Sequence, residues 1–507
     1  MKFKELLPII FSRFFVFALA LLLQIGWFLL SIFELGKYNP LASALLGLLS
    51  LLVLIYIING NSKLPYKLAW IVPILVFPLL GGVLYLISGG KAPKKYLRKA
   101  MEAQQQRSLP ALPDSSENIK SLGESHLQGQ SRYLTRQGFP LYSDTRTKYY
   151  PLGDHGYKDF LDALESAEKF IFMEYFIIAP GTLWDSIVEI LARKAAEGVE
   201  VRLIYDDFGC KSIRYDKQLK KMGISAIAFN PFIPIYSTIM NNRDHRKVLV
   251  VDGNLAFTGG INIADEYINE VERFGHWKDS FVRLEGAGVW GLTLMFLQLW
   301  NAIKPTDSSF DAFRPTQAYD SDGFVQPYCD SPLDGEYLGE NVYLNLINNA
   351  CRYVYIMTPY LILDEELNTA LQLAAKRGVD VRILTPGIPD KRIVWHLTRA
   401  HYPALLEAGV RIFEYTPGFL HSKNVVCDDE LAVVGTINMD YRSLCLHFEN
   451  ACLFFGGQVV ADVRDDCTET MKVCKEIDLR YIHKHRKTAG LFHSMYYAIL
   501  RLLAPLL

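Results

Sequence analysis

Apolar positions fall into two regimes along the chain. Near the N-terminus they form continuous uncharged runs, Phe14 to Phe33, Leu41 to Ile58 and Leu68 to Ser88. A bilayer core about 30 Å thick takes about 20 apolar residues in a helix, and each run approximates that length. A cleaved leader would instead show one shorter run and a small-residue cleavage site. The third run contains Pro73, Pro78 and the pair Gly81-Gly82, as expected of a kinked span or a re-entrant hairpin. Residues 1–90 are therefore predicted to form a helical membrane region with two or three hydrophobic spans. Lys91, Lys94, Lys95, Arg98 and Lys99 follow with no acid among them, which favours a cytoplasmic location for that end. Lys2, Lys4 and Arg13 favour the same side for the N-terminus, and three full spans cannot satisfy both ends. The expected location is the cell membrane, multi-pass, with a cytoplasmic body.

Beyond residue 100 the apolar segments become short and periodic. Residues 101 to about 133 are rich in Gln, Ser, Pro and Gly without apolar periodicity, so 91–133 reads as a basic and polar tether. The body then repeats itself. Phe170 to Ile178 is strand-like, and an amphipathic helix over Leu183–Ala196 and a strand from Val199 to Tyr205 follow. Tyr353 to Tyr360 begins the same series, with a helix from about Glu365 to Lys376 and a strand from Val379 to Leu384. Gly223 and Pro231 also match Gly409 and Pro417, eight residues apart in each copy. Such alternation predicts an α/β fold of two pseudo-symmetric halves, residues 134–315 and 316–490, sharing one active site between them. Residues 491–507 form a C-terminal amphipathic segment.

Composition narrows the function. Lys plus Arg number 53 against 54 Asp plus Glu, which gives no electrostatic case for nucleic acid as a partner. Half the residues are hydrophobic and 21% charged, which excludes a disordered chain. None of the eight cysteines forms a close CxxC pair, so zinc-ribbon and thioredoxin readings fail, and free thiols in a reducing compartment remain.

The repeat ends in its most informative residues. His245, Lys247, Asp252, Gly259, Gly260 and Asn262 recur as His421, Lys423, Asp428, Gly435, Thr436 and Asn438, every position offset by 176. Both copies read H-x-K-x4-D-x6-G-[GT]-I-N. On a strand of period two, His and Lys project to one face while the next four residues build the sheet. This chemistry suits a phosphodiester. One imidazole can attack phosphorus while the other protonates the leaving oxygen. Two lysines and two asparagines supply charge and donors around the phosphoryl oxygens. The small residues 259, 260, 435 and 436 would let backbone approach the phosphate. A nucleophilic histidine needs its second nitrogen held by an acceptor. Asp279 and Glu449 begin equivalent strands after the two motifs, and each is expected to orient the histidine of its own half. Asp252 and Asp428 are expected to pin strand ends. No metal or other cofactor is required.

The duplicated motif resembles the phospholipase D superfamily, whose members join two such halves around one site. Together with the segment from Lys67 to Leu86, Glu174-Tyr175 and Thr358 to Tyr360, it is similar to the bacterial cardiolipin synthases. That resemblance covers about residues 41 to 507. It implies a membrane-bound phosphatidyltransferase that converts two phosphatidylglycerols into cardiolipin and glycerol through a phosphatidyl-histidine. The alternatives are a hydrolytic phospholipase D and a phosphatidyltransferase using another alcohol acceptor. The motifs leave the two histidines nearly equivalent; the resemblance implies His245 as nucleophile. Two further features suit anionic lipid as a partner. Arg480 and the basic run from His483 to Lys487 precede the amphipathic C-terminal segment, and Phe232 to Met240 is an apolar insertion suited to an acyl-chain entrance.

Overall fold

Strands of the repeated body assemble into two mixed sheets. The computed structural model describes residues 22, 25–26, 40–60, 62–88, 95–210, 215–231, 242–480 and 490–506. Nearly all of the first apolar run, Lys91 and Lys94, the insertion 232–240 and the basic run 483–487 lie outside the described residues. The chain divides into two compact units, one holding the N-terminal apolar region and the C-terminal segment, the other the body.

In the first unit, helices α1 (Pro40–Asn59), α2 (Leu64–Val76) and α3 (Pro78–Ser88) follow one another. The third apolar run is thus two helices, broken at Phe77 because Pro78 disfavours helical backbone in the residue before it. Gly81 allows α3 to lie against α2, since a Cβ there would stand 2.6 Å from the Pro73 carbonyl oxygen. At about 1.5 Å per residue, α2 and α3 are each shorter than a bilayer core. Among the described residues, no helix is long and apolar enough to cross a membrane. The multi-pass expectation therefore has no support in these helices. The C-terminal segment is helical over Gly490–Leu503.

The expected tether is instead folded onto the body. Helices cover Lys95–Ser108, Ser116–Ser121 and Ser125–Arg136. Ile119, Leu127 and Leu134 are buried, and side chains of the body donate to backbone carbonyls of the segment. Trp290 Nε1 donates to the Ala111 carbonyl at 2.9 Å, and Gln326 Nε2 donates to the Ser131 carbonyl at 3.1 Å. Composition concealed this because the buried face of the helix Ser125–Arg136 sets polar Gln130 and Ser131 between Leu127 and Leu134.

The first half contributes β1 (Thr145–Tyr150), β2 (Phe170–Tyr175), β3 (Glu200–Asp206), β4 (Ser225–Phe229), β5 (Lys247–Val251), β6 (Leu255–Gly259), β7 (His276–Lys278) and β8 (Phe281–Gly286). The second contributes β9 (Phe324–Asp330), β10 (Tyr353–Met357), β11 (Asp380–Pro386), β12 (Arg411–Tyr415), β13 (Gly418–Leu420), β14 (Asn424–Cys427), β15 (Leu431–Gly435), β16 (Glu449–Phe455) and β17 (Cys474–Ile477). The sheet orders are β1-β8-β6-β5-β2-β3-β4 and β9-β16-β15-β14-β10-β11-β12-β17, so the second repeats the first and adds an edge strand. In each, the βαβ crossovers make three parallel strands, and the remaining pairs are antiparallel.

One buried cluster fuses the halves. Phe172, Val248, Val250 and Leu284 of the first sheet share it with Val426, Val434 and Phe454 of the second, and the nearly all-apolar helix Val289–Ile303 contributes to it. A short parallel pair, β7 with β13, joins one strand from each half. This shared core brings the entries to β5 and β14 together.

Candidate active site

His245 and His421 stand just ahead of β5 and β14, and each is tied to the opposite half. The His245 backbone N–H donates to the Phe448 carbonyl at 2.8 Å, and that of His421 to the Lys278 carbonyl at 2.7 Å. Those carbonyls immediately precede the two carboxylates. Glu449 accepts from His245 Nδ1 at 2.9 and 3.0 Å, and Asp279 accepts from His421 Nδ1 at 2.6 Å. The expected pairing within each half is therefore corrected: the carboxylates are exchanged. Within one half β8 lies two strands from β5, about 10 Å away at the usual strand spacing, too far for direct contact. The approximate two-fold relation instead lays the start of each outer strand against the other motif.

A carboxylate can only accept, so each Nδ1 carries the proton and each Nε2 keeps its lone pair. Both pairs are buried, with Asp279 and Glu449 fully so. Burial pushes His245 down to about 3 and His421 down to about 4, outweighing the opposing pull of Glu449 and Asp279 and aided by Lys247 and Lys423. Burial alone would raise Glu449 and Asp279. For Asp279, Lys423 and the bond from His421 reverse this, and for Glu449 the bond from His245 does, so both lie below their ordinary values. Thr436, whose hydroxyl also donates to Glu449, fixes that carboxylate further.

The lysines are buried beside the rings. Lys247 Nζ donates to the His245 carbonyl at 2.6 Å, and Lys423 Nζ donates to that of His421. Burial, joined by repulsion from Lys423, lowers Lys247 to about 7, and burial lowers Lys423 to about 8. Such amines gain strongly from an incoming anion. The asparagines differ. Asn262 is engaged in the wall, accepting from the Ile177 N–H at 3.0 Å and donating to the Tyr267 hydroxyl at 2.7 Å. Asn438 is buried with its Oδ1 lacking a hydrogen-bond partner.

Asp252 and Asp428 lie away from the reacting nitrogens. Asp252 accepts from the backbone N–H groups of Glu168, Lys169 and Phe170, each at 2.8 Å, and so anchors the entry to β2. Asp428 does the same for β10 through Cys351, Arg352 and Tyr353. The small motif residues also serve packing rather than phosphate approach. A Cβ at Gly260 would stand 2.0 Å from Asp279 Oδ1, and one at Gly435 would stand 2.4 Å from the Ala451 side chain.

Sequence reasoning missed the groups around the rings. Phe176 meets His245 edge-on at 5.0 Å between centroids, while Tyr267, Trp277 and Phe419 surround His421 at 5.5 to 5.6 Å. Arg246, inside the motif, pairs with buried Glu174 at 2.6 Å and with Asp244 at 3.2 Å. His447, two residues before Glu449, also escaped notice, although its position in His-x-Glu was a visible signal. Among the described residues, two groups could hold a metal: His245 with His447 and Glu449, and Glu340 with Asp364 and Glu366.

Residues 160–272 and 343–471 match the family model described as cardiolipin synthase, PLD-like domain, and residues 48–90 match the phospholipase D-nuclease N-terminal model. A cardiolipin synthase of Halalkalibacterium halodurans is 34% identical over 98% of this chain and 100% of its own. The chain belongs to the cardiolipin synthase family. It is accordingly an enzyme, a phosphatidyltransferase of the phospholipase D superfamily. Another member of similar sequence, the cardiolipin synthase 2 of Bacillus cereus, is 36% identical over 88% of each chain. The cardiolipin synthase fold also extends to a crystal structure of phosphatidylserine synthase from Haemophilus influenzae. It is 13% identical, with a TM-score of 0.56 over 74% of this chain and 99% of that one, a likeness of fold.

Proposed function

We propose that this chain is a membrane-attached cardiolipin synthase that condenses two phosphatidylglycerols into cardiolipin and glycerol. The observation that carries the proposal is the crossed pair of histidines, each with Nδ1 held by a buried carboxylate and Nε2 left with its lone pair. The neutral His245 Nε2 attacks phosphorus, and the bond from phosphorus to the departing glycerol oxygen breaks. The anionic phosphodiester favours a protonated His421, which donates its Nε2 proton to that oxygen. Phosphatidyl-His245 then carries positive charge opposite Glu449. In the second step His421 takes the proton from a hydroxyl of the second phosphatidylglycerol. The resulting oxygen attacks phosphorus, the phosphorus–nitrogen bond breaks, and His245 is regenerated. Lys247, Lys423 and Asn438 hold the phosphoryl oxygens through both steps, and Asn262 braces the wall beside them.

Membrane attachment rests on the N-terminal unit. Its helix α1 exposes Leu48, Leu49, Leu51, Leu52, Ile55 and Ile58, an apolar surface suited to lipid. Basic Arg98 and Lys99 beyond it favour a cytoplasmic body facing anionic headgroups. Purified full-length protein incubated with labelled phosphatidylglycerol, with products separated by mass, tests the proposal. Cardiolipin and glycerol in equal amounts are expected. Phosphatidic acid as sole product would instead identify a hydrolase.

A further inference from the structure

The two half-sites differ at one ring. Two residues before Asp279 stands Trp277, and two before Glu449 stands His447. Trp277 lies beside His421 at 5.6 Å between centroids, and His447 lies beside His245 at 5.7 Å. The positions correspond, but their chemistry does not. An indole offers one N–H and no lone pair for a metal, whereas an imidazole offers a strong ligand nitrogen.

Neither ring nitrogen of His447 has a hydrogen-bond partner, although both are buried. Its Nδ1 is 3.7 Å from Glu449 Oε1, beyond hydrogen-bond reach. A buried polar group left unmatched in this way calls for an explanation, ion binding being one. One ligand atom each from His245, His447 and Glu449 lies within 4.8 Å of the other two. Tetrahedral ligands at about 2.1 Å from zinc stand roughly 3.4 Å apart, so modest rotations of the two rings close the cage. Two imidazoles and a carboxylate with one open position form a recurrent donor set for zinc-class ions.

We propose that His245, His447 and Glu449 bind one zinc-class divalent ion, and that the bound ion switches the enzyme off. The switching half of the proposal rests on the role given to His245 above. Ligation through Nε2 occupies the attacking lone pair. Ligation through Nδ1 displaces its proton to solvent and takes Glu449 from the ring it orients. Either way no bond is made to substrate and no electron is transferred. Among the described residues, the His421 half, with Trp277 in the corresponding place, has no such third ligand.

The test uses full-length protein in detergent, stripped of metal, with cobalt(II) as the optical probe and zinc as competitor. The wild type is expected to bind one equivalent of cobalt with visible bands of a tetrahedral nitrogen–oxygen site. Near-ultraviolet thiolate bands should be absent, which separates this site from the eight free cysteines. His447→Trp, which copies the other half, should lose those bands, as should His447→Asn should the larger ring disturb folding. Zinc should inhibit lipid turnover in the wild type. Each variant, measured against its own metal-free rate, should need at least about tenfold more zinc. Binding and inhibition unchanged in both variants, or no cobalt bound by the wild type, would overturn the ion site. Cobalt bound as expected by a protein that turns over no phospholipid would instead overturn the catalytic reading and the switch, leaving the ion site intact.

Discussion

Exchange of carboxylates between the halves assigns each acid to a chemical step, and Glu449→Gln tests that assignment. Glu449 accepts His245 Nδ1 with both oxygens and also takes the Thr436 hydroxyl. An amide keeps the shape but removes the charge that opposes phosphatidyl-imidazolium. Unit charges about 4 Å apart attract by about 4 kcal/mol at an effective dielectric of about 20. That is roughly a 10³-fold loss in rate. The amide also permits the wrong tautomer, with the proton on Nε2. In the Ser-His-Asp triad the equivalent change lowers turnover by about 10⁴. Formation of the adduct should therefore slow by about 10³ to 10⁴. The assay is a pre-steady-state burst with a phosphatidyl ester of p-nitrophenol, whose leaving group needs no proton. Under those conditions, of the two histidine–carboxylate pairs, only His245 with Glu449 acts in the first step. Wild type and Asp279→Asn should release one equivalent of nitrophenolate quickly, Asp279→Asn then stalling as the adduct. Glu449→Gln should show no burst. A burst at the wild-type rate in Glu449→Gln, with none in Asp279→Asn, would refute the reasoning and exchange the two roles.

The same activated ester separates the histidines themselves: His421→Asn should accumulate labelled lipid on a peptide containing His245, and His245→Asn should accumulate none. Acid stability is a second measurement. Burial keeps His245 and His421 neutral down to about 3 and about 4, while unfolded imidazoles protonate near 6.5. The unfolded chain thus binds more protons between those values, so stability present above pH 6.5 should fall as pH drops through the window. Thermal unfolding midpoints of His421→Asn should fall less steeply than those of wild type between pH 6.5 and 4.5, and parallel curves would count against the burial argument. For topology, single cysteines at exposed Ala103 or Ser121 in a cysteine-free variant should resist a membrane-impermeant reagent in intact cells; labelling without permeabilisation would place the body outside.

Much of this arrangement is legible in the chain because duplication doubles each signal. The offset of 176 located both histidines, both lysines and the two aspartates that anchor β2 and β10. Alternating apolar segments gave the helix over Glu365–Lys376 with its observed ends. Partnership across the halves was not legible. Asp279 follows His245 by 34 residues and Glu449 follows His421 by 28, so sequence proximity favoured the wrong pairs. Only the shared core, a tertiary fact, sets which strand start faces which motif. The helices over 95–136 escaped for a related reason, since their stabilising partners lie some 190 residues away. His447 could have been found by laying the two copies side by side, where Trp277 opposes it.

Reciprocal loan of the carboxylates bears on how such a chain could arise. One half alone holds a histidine and a lysine but lacks the acid that its histidine uses, so a chain of that length is chemically complete only as a symmetric pair. In such a pair every substitution strikes both sites at once, and attacker and proton donor must share one sequence. Joining two copies end to end removes that constraint. Each ring can then acquire its own neighbours, an indole beside one and an imidazole beside the other, while the loaned acids still keep the copies mutually dependent.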